Sequence, residues 1–197
     1  FEWGKPSMEG KSIGEQILCS LFQSVTPRTA GFNSMDLTAM TDSSRMLMTI
    51  FMFIGGSPGS TAGGVKTTTI ALMFLCIWAE FRKRKDIECF KRRIEGDTLR
   101  HASCVLMLYA ILIGASSMFI SAIEETAILD VLFEVTSAIG TVGLSLGLTP
   151  QLGTLSHIIL ILLMFVGRVG GITILIAFSN WTGTIPSKLP IEKITIG

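Results

Sequence analysis

The sequence predicts an all-α membrane protein made of two related units. Each unit reads as helix, short dipping helix, filter-like turn and second helix, and the first unit lacks its opening helix. Three observations predict this class. The 197-residue chain is 49% hydrophobic and only 16% charged, with a mean hydropathy of +0.59, against about 25% charged residues in soluble domains. Residues 99–123 and 155–181 are near-continuous apolar runs of bilayer length. Two short helical patterns lead into turns of one type, Thr26-Pro27-Arg28-Thr29-Ala30-Gly31-Phe32 and Thr136-Ser137-Ala138-Ile139-Gly140-Thr141-Val142-Gly143-Leu144.

The first unit occupies residues 1–97. After a polar lead, Ile13, Ile17, Leu18, Leu21, Phe22 and Val25 recur at helical spacing over 13–25. Thirteen residues reach about 20 Å, too short to cross a bilayer, so this segment only dips in, and Pro27 ends it. The turn covers 26–34. Residues 43–81 form one transmembrane helix broken in the middle, because 55–64 hold five glycines and Pro58. Irregular backbone at that depth survives only where it is buried in protein or lines a cavity. A basic loop, 82–97, closes the unit. The second unit, 98–197, has a spanning helix at 98–123, a dipping helix at 126–138, a turn at 139–147, a returning helix at 154–180 and a tail at 181–197. Aligning Gly31 with Gly143 and Phe22 with Phe133 needs one inserted residue.

A Thr-x-Gly turn after a helix too short to span suits cation coordination. Glycine permits a backbone whose successive carbonyls face one axis and replace an ion's water shell. The expected potassium ligands are the carbonyls of Thr29, Ala30, Thr141 and Val142, within turns that include Gly31, Phe32, Gly143 and Leu144. Arg28, beside the first turn, is expected to bond carbonyls behind it or to pair with an acid. Gly55, Gly56, Ser57, Pro58, Gly59, Ser60, Thr61, Ala62, Gly63, Gly64 and Lys66 form an expected gating loop. It is not a nucleotide phosphate loop, since Val65 stands between Gly64 and Lys66 where that motif requires Gly-Lys. Arg168 is the one charge within 155–181 and must face a pore or a carbonyl partner. Lys66 offers a second positive barrier.

Charge placement sets the topology. Arg82, Lys83, Arg84, Lys85, Lys91, Arg92 and Arg93 crowd into twelve residues, whereas 116–165 has no Lys or Arg, only Glu124, Glu125, Asp130 and Glu134. The basic loop is therefore expected in the cytoplasm and the turns near the outer face, where the acids attract cations. Cys19, Cys76, Cys89 and Cys104 lack metal spacing, and His101 and His157 stand alone, so a metal centre, a disulfide framework and an enzyme are not expected. A basic loop pinned to a membrane is not expected to bind nucleic acid. The chain opens at Phe1 and reads as a piece of something longer.

TPRTAGFNS, GGSPGSTAGGVKTTT, TSAIGTVGLSLGLTP and VGRVGGIT together resemble the C-terminal half of the bacterial Ktr/Trk potassium-translocating subunits, relatives of the plant HKT proteins. The resemblance covers essentially the whole chain and is nearest to the Ktr members. It implies half of a four-unit, potassium-channel-like pore whose other two units lie in a missing N-terminal half of the same polypeptide. It further implies a multi-pass cell-membrane homodimer resting on cytosolic nucleotide-binding regulatory subunits, and an arginine at 168 that meters the pore against the gating loop. No cofactor is expected; K+ is the transported ion, and Na+ dependence or symport is raised by the same likeness. Two rivals stand: a non-conducting assembly or regulatory fragment, which two further upstream units would rule out, and a Na+-preferring transporter of the same superfamily.

Overall fold

Ser12 opens the first helix, α1 (Ile13–Val25), with a capping box: its hydroxyl takes the Glu15 N–H, and the Glu15 carboxylate takes the Ser12 N–H at 2.7 Å. The computed structural model describes residues 2, 5–84, 86–90, 92–171 and 173. Thr41 caps α2 (Asp42–Phe53), which runs up to the glycine-rich stretch. The chain regains helix only at α3 (Thr67–Phe81). The ends of the intervening loop are tied together, with Gly55 N–H on the Val65 carbonyl at 2.9 Å and Val65 N–H on the Phe53 carbonyl at 3.1 Å.

The expected basic loop is partly ordered as a ribbon. Strands β1 (Glu88–Cys89) and β2 (Arg92–Arg93) pair antiparallel. Ion pairs Arg84–Glu88 (2.8 Å) and Arg93–Asp86 (3.0 Å) brace them. The next helix, α4 (Gly96–Glu124), is 29 residues long and, among the described residues, the one helix long and apolar enough to cross a membrane. α3 and the last helix, α6 (Thr154–Val169), are shorter apolar helices.

Glu125 takes a left-handed φ of 51° and ends α4. Ser121 Oγ donates to the Thr126 carbonyl, so the chain reverses over 125–127 and α5 (Ile128–Ile139) begins later than the sequence suggests. α5 is the centre of the fold and packs against α4, α6 and α2. One face joins Val131, Val135, Ala138 and Ile139 to Tyr109, Ile113, Leu160 and Leu163. The other places Phe133 with Met48 and Met52 of α2 and with Leu37, Met40, Val142 and Leu144.

α6 does not run on to residue 180 as one helix. It closes at Val169, where Gly170 adopts φ 88°, a conformation that a glycine enters without strain. Residues 174–180 and the expected tail at 181–197 lie outside the described residues.

Candidate ion-binding site

Each turn grows directly from the end of a short helix. After α1, the N–H groups of Ala30 and Gly31 both reach the Thr26 carbonyl, and Thr26 Oγ1 donates to the Phe32 carbonyl. After α5, Gly140 N–H bonds the Thr136 carbonyl, Thr141 N–H that of Ala138 and Val142 N–H that of Ser137. The two chains then take the same path. Thr29 and Thr141 have positive φ, 67° and 53°, and so do Gly31 and Gly143, 72° and 91°. Left-handed backbone is uncommon for a β-branched residue, and its recurrence at both threonines is a shared constraint.

The turns touch. A Cβ on Gly31 would run into the Val142 carbonyl oxygen, and Gly143 Cα would lie 3.7 Å from it. Gly143 itself is exposed, with open space where a Cβ would stand. Among the described residues, no N–H or O–H donates to the carbonyls of Thr29, Ala30, Thr141 or Val142. The anchoring differs, however. Val142 and Leu144 are buried beside Phe133 and Met52, while Ala30 and Phe32 are exposed.

The glycine-rich loop lies against the second turn. Gly63 N–H donates to Thr141 Oγ1 at 3.0 Å. A Cβ on Gly63 would stand 2.7 Å from that oxygen and 2.8 Å from the Gly140 carbonyl. Gly55, Gly63, Gly64 and Val65 are buried at the base of the loop, while Ser57, Pro58, Gly59, Ser60 and Thr61 are exposed. Gly56 and Ala62 lie between these extremes. Arg168 Nη1 donates to the Thr61 carbonyl at 2.9 Å, which links α6 to the loop. The Lys66 ammonium is turned back on its own loop, 3.1 Å from the Ser60 carbonyl and 2.6 Å from that of Ala62. It staples the loop as well as carrying charge. Gly167 lets α6 reach α5, because a Cβ there would overlap the Ile139 carbonyl.

Arg28 departs from expectation. It is exposed, and among the described residues its side chain makes no hydrogen bond or ion pair. Most of the acids expected to draw cations are engaged internally. Asp130 pairs with Arg45 of α2 at 3.3 Å. Glu124 accepts the Gly153 N–H at 2.8 Å and the Ser156 hydroxyl. Glu134, 5% exposed, accepts from Ser145 Oγ, the Leu146 N–H and Thr149 Oγ1 at 2.7, 2.8 and 2.6 Å. Glu125 alone of the four is exposed. Sequence reading counted Glu134 only as one of four acids. Its place seven residues before Thr141, as the one charge among the apolar and small residues of 131–140, is the signal that could have marked it.

Residues 2–184 match the TrkH family, described as cation transport protein. The chain is 37% identical over 183 residues to Ktr system potassium uptake protein B of Bacillus subtilis, covering 91% of this chain and 41% of that protein. Against Ktr system potassium uptake protein D of the same organism the identity is 35% over 188 residues, covering 95% and 42%. The crystal structure of the potassium transporter TrkH from Vibrio parahaemolyticus superposes with a TM-score of 0.74 at 23% identity, covering 87% of this chain and 39% of that one. The chain thus spans about two fifths of the length of the relatives it matches.

Proposed function

The chain belongs to the TrkH family of cation transport proteins, and we propose that it supplies two adjacent units of a pore that takes K+ up across the cell membrane. In this reading α1 and α5 are pore helices, and the turns after them are two sectors of one selectivity filter. The carbonyls of Thr29, Ala30, Thr141 and Val142 replace part of the hydration shell of K+. The observation that carries the reading is the repeated backbone: a left-handed threonine and a left-handed glycine in each turn, with Gly31 seated against the Val142 carbonyl. Carbonyls without internal donors are those a passing cation would meet. The open space at Gly143 and the exposed apolar face of α1 (Ile13, Ile17, Leu18, Leu21, Val25) are then the surfaces for the first unit's opening helix and for two further units of the full-length polypeptide.

The loop at 55–66 serves as the gate. Its contact with Thr141 supports a position under the filter, and the Arg168–Thr61 bond links it to α6. A segment so rich in glycine has little helix propensity, so its open and closed arrangements differ by only a few kcal/mol. The basic residues of 82–93 face the cytoplasm under the positive-inside rule. With the cytoplasmic tail they form the contact surface for nucleotide-binding regulatory subunits beneath a membrane homodimer. Na+ dependence belongs to the proposal on the strength of likeness alone.

The test is 86Rb+ uptake by the full-length polypeptide in cells that lack other potassium systems, with Na+ as competitor. Gly31→Ser and Gly143→Ser are expected to insert normally and lose preference for K+. Arg168→Gln is expected to raise maximal flux and leave the preference intact. Unchanged Na+ competition in both glycine variants would refute the filter assignment.

A further inference from the structure

We propose that Glu134 is the positioning residue of the second filter turn, and that its carboxylate makes this turn, more than the one after α1, the sector that sets ion preference. The inference rests on the filter reading above and goes beyond it by naming what holds one sector in shape.

Glu134 lies on α5, one and a half turns before the helix ends, and is almost fully buried. As a carboxylate it has only acceptors to offer, and all three of its partners come from the segment that leaves the turn. Oε1 takes the Ser145 hydroxyl at 2.7 Å and the Leu146 N–H at 2.8 Å, and Oε2 takes the Thr149 hydroxyl at 2.6 Å. Ser145 Oγ also accepts the Gly147 N–H at 2.9 Å, which continues the network outward. Bonds to an ionised acceptor are shorter and stronger than neutral ones. Three of them fix the chain just outside Gly143 and Leu144 against the pore helix. The inner end of the turn is fixed by helix-end bonds to Ser137 and Ala138. Residues 141–144 are therefore suspended between two anchors on one helix, and their carbonyls have little freedom to close on a smaller ion.

The first unit lacks this device. Gln23 aligns with Glu134 and is equally buried; among the described residues it donates only to Met48 Sδ at 3.4 Å, and its Oε1 has no donor. The segment leaving the first turn is held by its own short-range bonds: Met35 N–H to Asn33 Oδ1 at 3.2 Å, and Thr38 N–H to Asp36 Oδ1 at 2.8 Å. Among the described residues the one side-chain bond from the end of α1 to that segment is neutral, Thr26 Oγ1 to the Phe32 carbonyl, and no carboxylate ties it to the helix as Glu134 ties residues 145–149 to α5.

The experiment measures Rb+ uptake against K+ and Na+ concentration in the full-length polypeptide, normalised to membrane-inserted protein. Glu134→Gln keeps the shape and removes the charge. It is expected to raise KM for K+ about tenfold, the effect of one lost charge-assisted bond, and to let Na+ compete, with maximal flux per inserted molecule retained. Glu134→Asp, which keeps the charge and shortens the reach, should fall between. Ser145→Ala and Thr149→Val remove donors while leaving the carboxylate, and should shift KM and Na+ competition in the same direction. They carry the test if Glu134→Gln fails to insert. A parallel Gly143→Ser sample separates the two claims. If it alters Na+ competition while the Glu134, Ser145 and Thr149 variants change only protein amount, the positioning role is wrong and the filter stands. If Gly143→Ser and Gly31→Ser both leave competition unchanged as well, the filter assignment falls, and this inference with it.

Discussion

The turn after α1 and the turn after α5 follow one backbone path, yet they are held by different surroundings. Each has a left-handed threonine and a left-handed glycine. Each unit also carries a carboxylate ahead of its short helix that reaches the start of the helix after the turn. Glu2 accepts the Thr41 N–H at 3.0 Å at the cap of α2, and Glu124 accepts the Gly153 N–H at 2.8 Å at the cap of α6. Behind the turns the likeness stops. Residues 133–140 are all buried, whereas in α1 only Gln23 is. Ala30 is exposed where Val142 is packed, and Gln23 stands where Glu134 bonds three donors. Backbone conformation is thus the repeated feature, set by Thr-x-Gly and the preceding helix end. Side-chain support has diverged, and the second turn holds the denser share of it within this chain.

The largest effect should come from giving the first unit the second unit's acid. Gln23→Glu places a carboxylate where, among the described residues, the only neighbour bonded by the amide is a thioether. An unpaired buried charge costs about 3–5 kcal/mol, enough to remove most folded protein from the membrane. The measurement is the yield of monodisperse, detergent-extracted protein beside wild type. Normal yield would mean that residues 33–38 can supply donors as 145–149 do, and that the two units differ less than their side chains suggest.

A smaller effect separates the two threonines. Thr141 Oγ1 accepts the Gly63 N–H, while Thr29 has no side-chain bond among the described residues. Thr141→Val keeps the shape and leaves a buried N–H without a partner, worth about 1–3 kcal/mol. If the loop at 55–66 is the gate proposed above, this substitution should loosen it and raise maximal Rb+ flux, and Thr29→Val should change flux little. Equal responses would mean that the loop contacts both turns alike in the working protein.

The helices were legible where one physical signal dominates. The spacing of Ile13, Ile17, Leu21 and Val25 marks α1, and apolar length marks α4. Glycine and proline density marks the break between α2 and α3. The stop at Gly170 was not legible, because an apolar run reads the same through a glycine that bends it. The ribbon at 88–93 was hidden because local ion pairs, not hydrophobic alternation, hold it. The threonines and glycines of the turns were visible as motifs, but their abutment is a tertiary fact that no spacing along the chain encodes. Glu134 was missed for the same reason. Its partners lie 11, 12 and 15 residues away, beyond any helical period. Arg28 misled because a charge beside a turn rich in carbonyls invites a partner, and among the described residues its side chain makes no bond.

The smallest effect concerns the matched carboxylates that reach the helix caps. Burial alone would raise the Glu2 carboxyl, but the Ser44, Ser7 and Thr41 hydroxyls and the Thr41 N–H outweigh it and hold the group at about 2, against an ordinary 4.5. A depressed folded value means that Glu2 binds its proton more readily in the unfolded chain. Its contribution is therefore fully present above pH 4.5 and is lost as the pH falls toward 2. The carboxylate also sits where the positive end of α2 favours an anion. Glu2→Gln should lower the thermal midpoint of the full-length polypeptide by the same small amount at pH 7 and pH 5.5. The gap between variant and wild type should then narrow as both are taken below 4.5. A gap that persists unchanged at pH 3 would show that Glu2 acts through shape and not charge. The two units would then share a contact at their outer edge but not an electrostatic one.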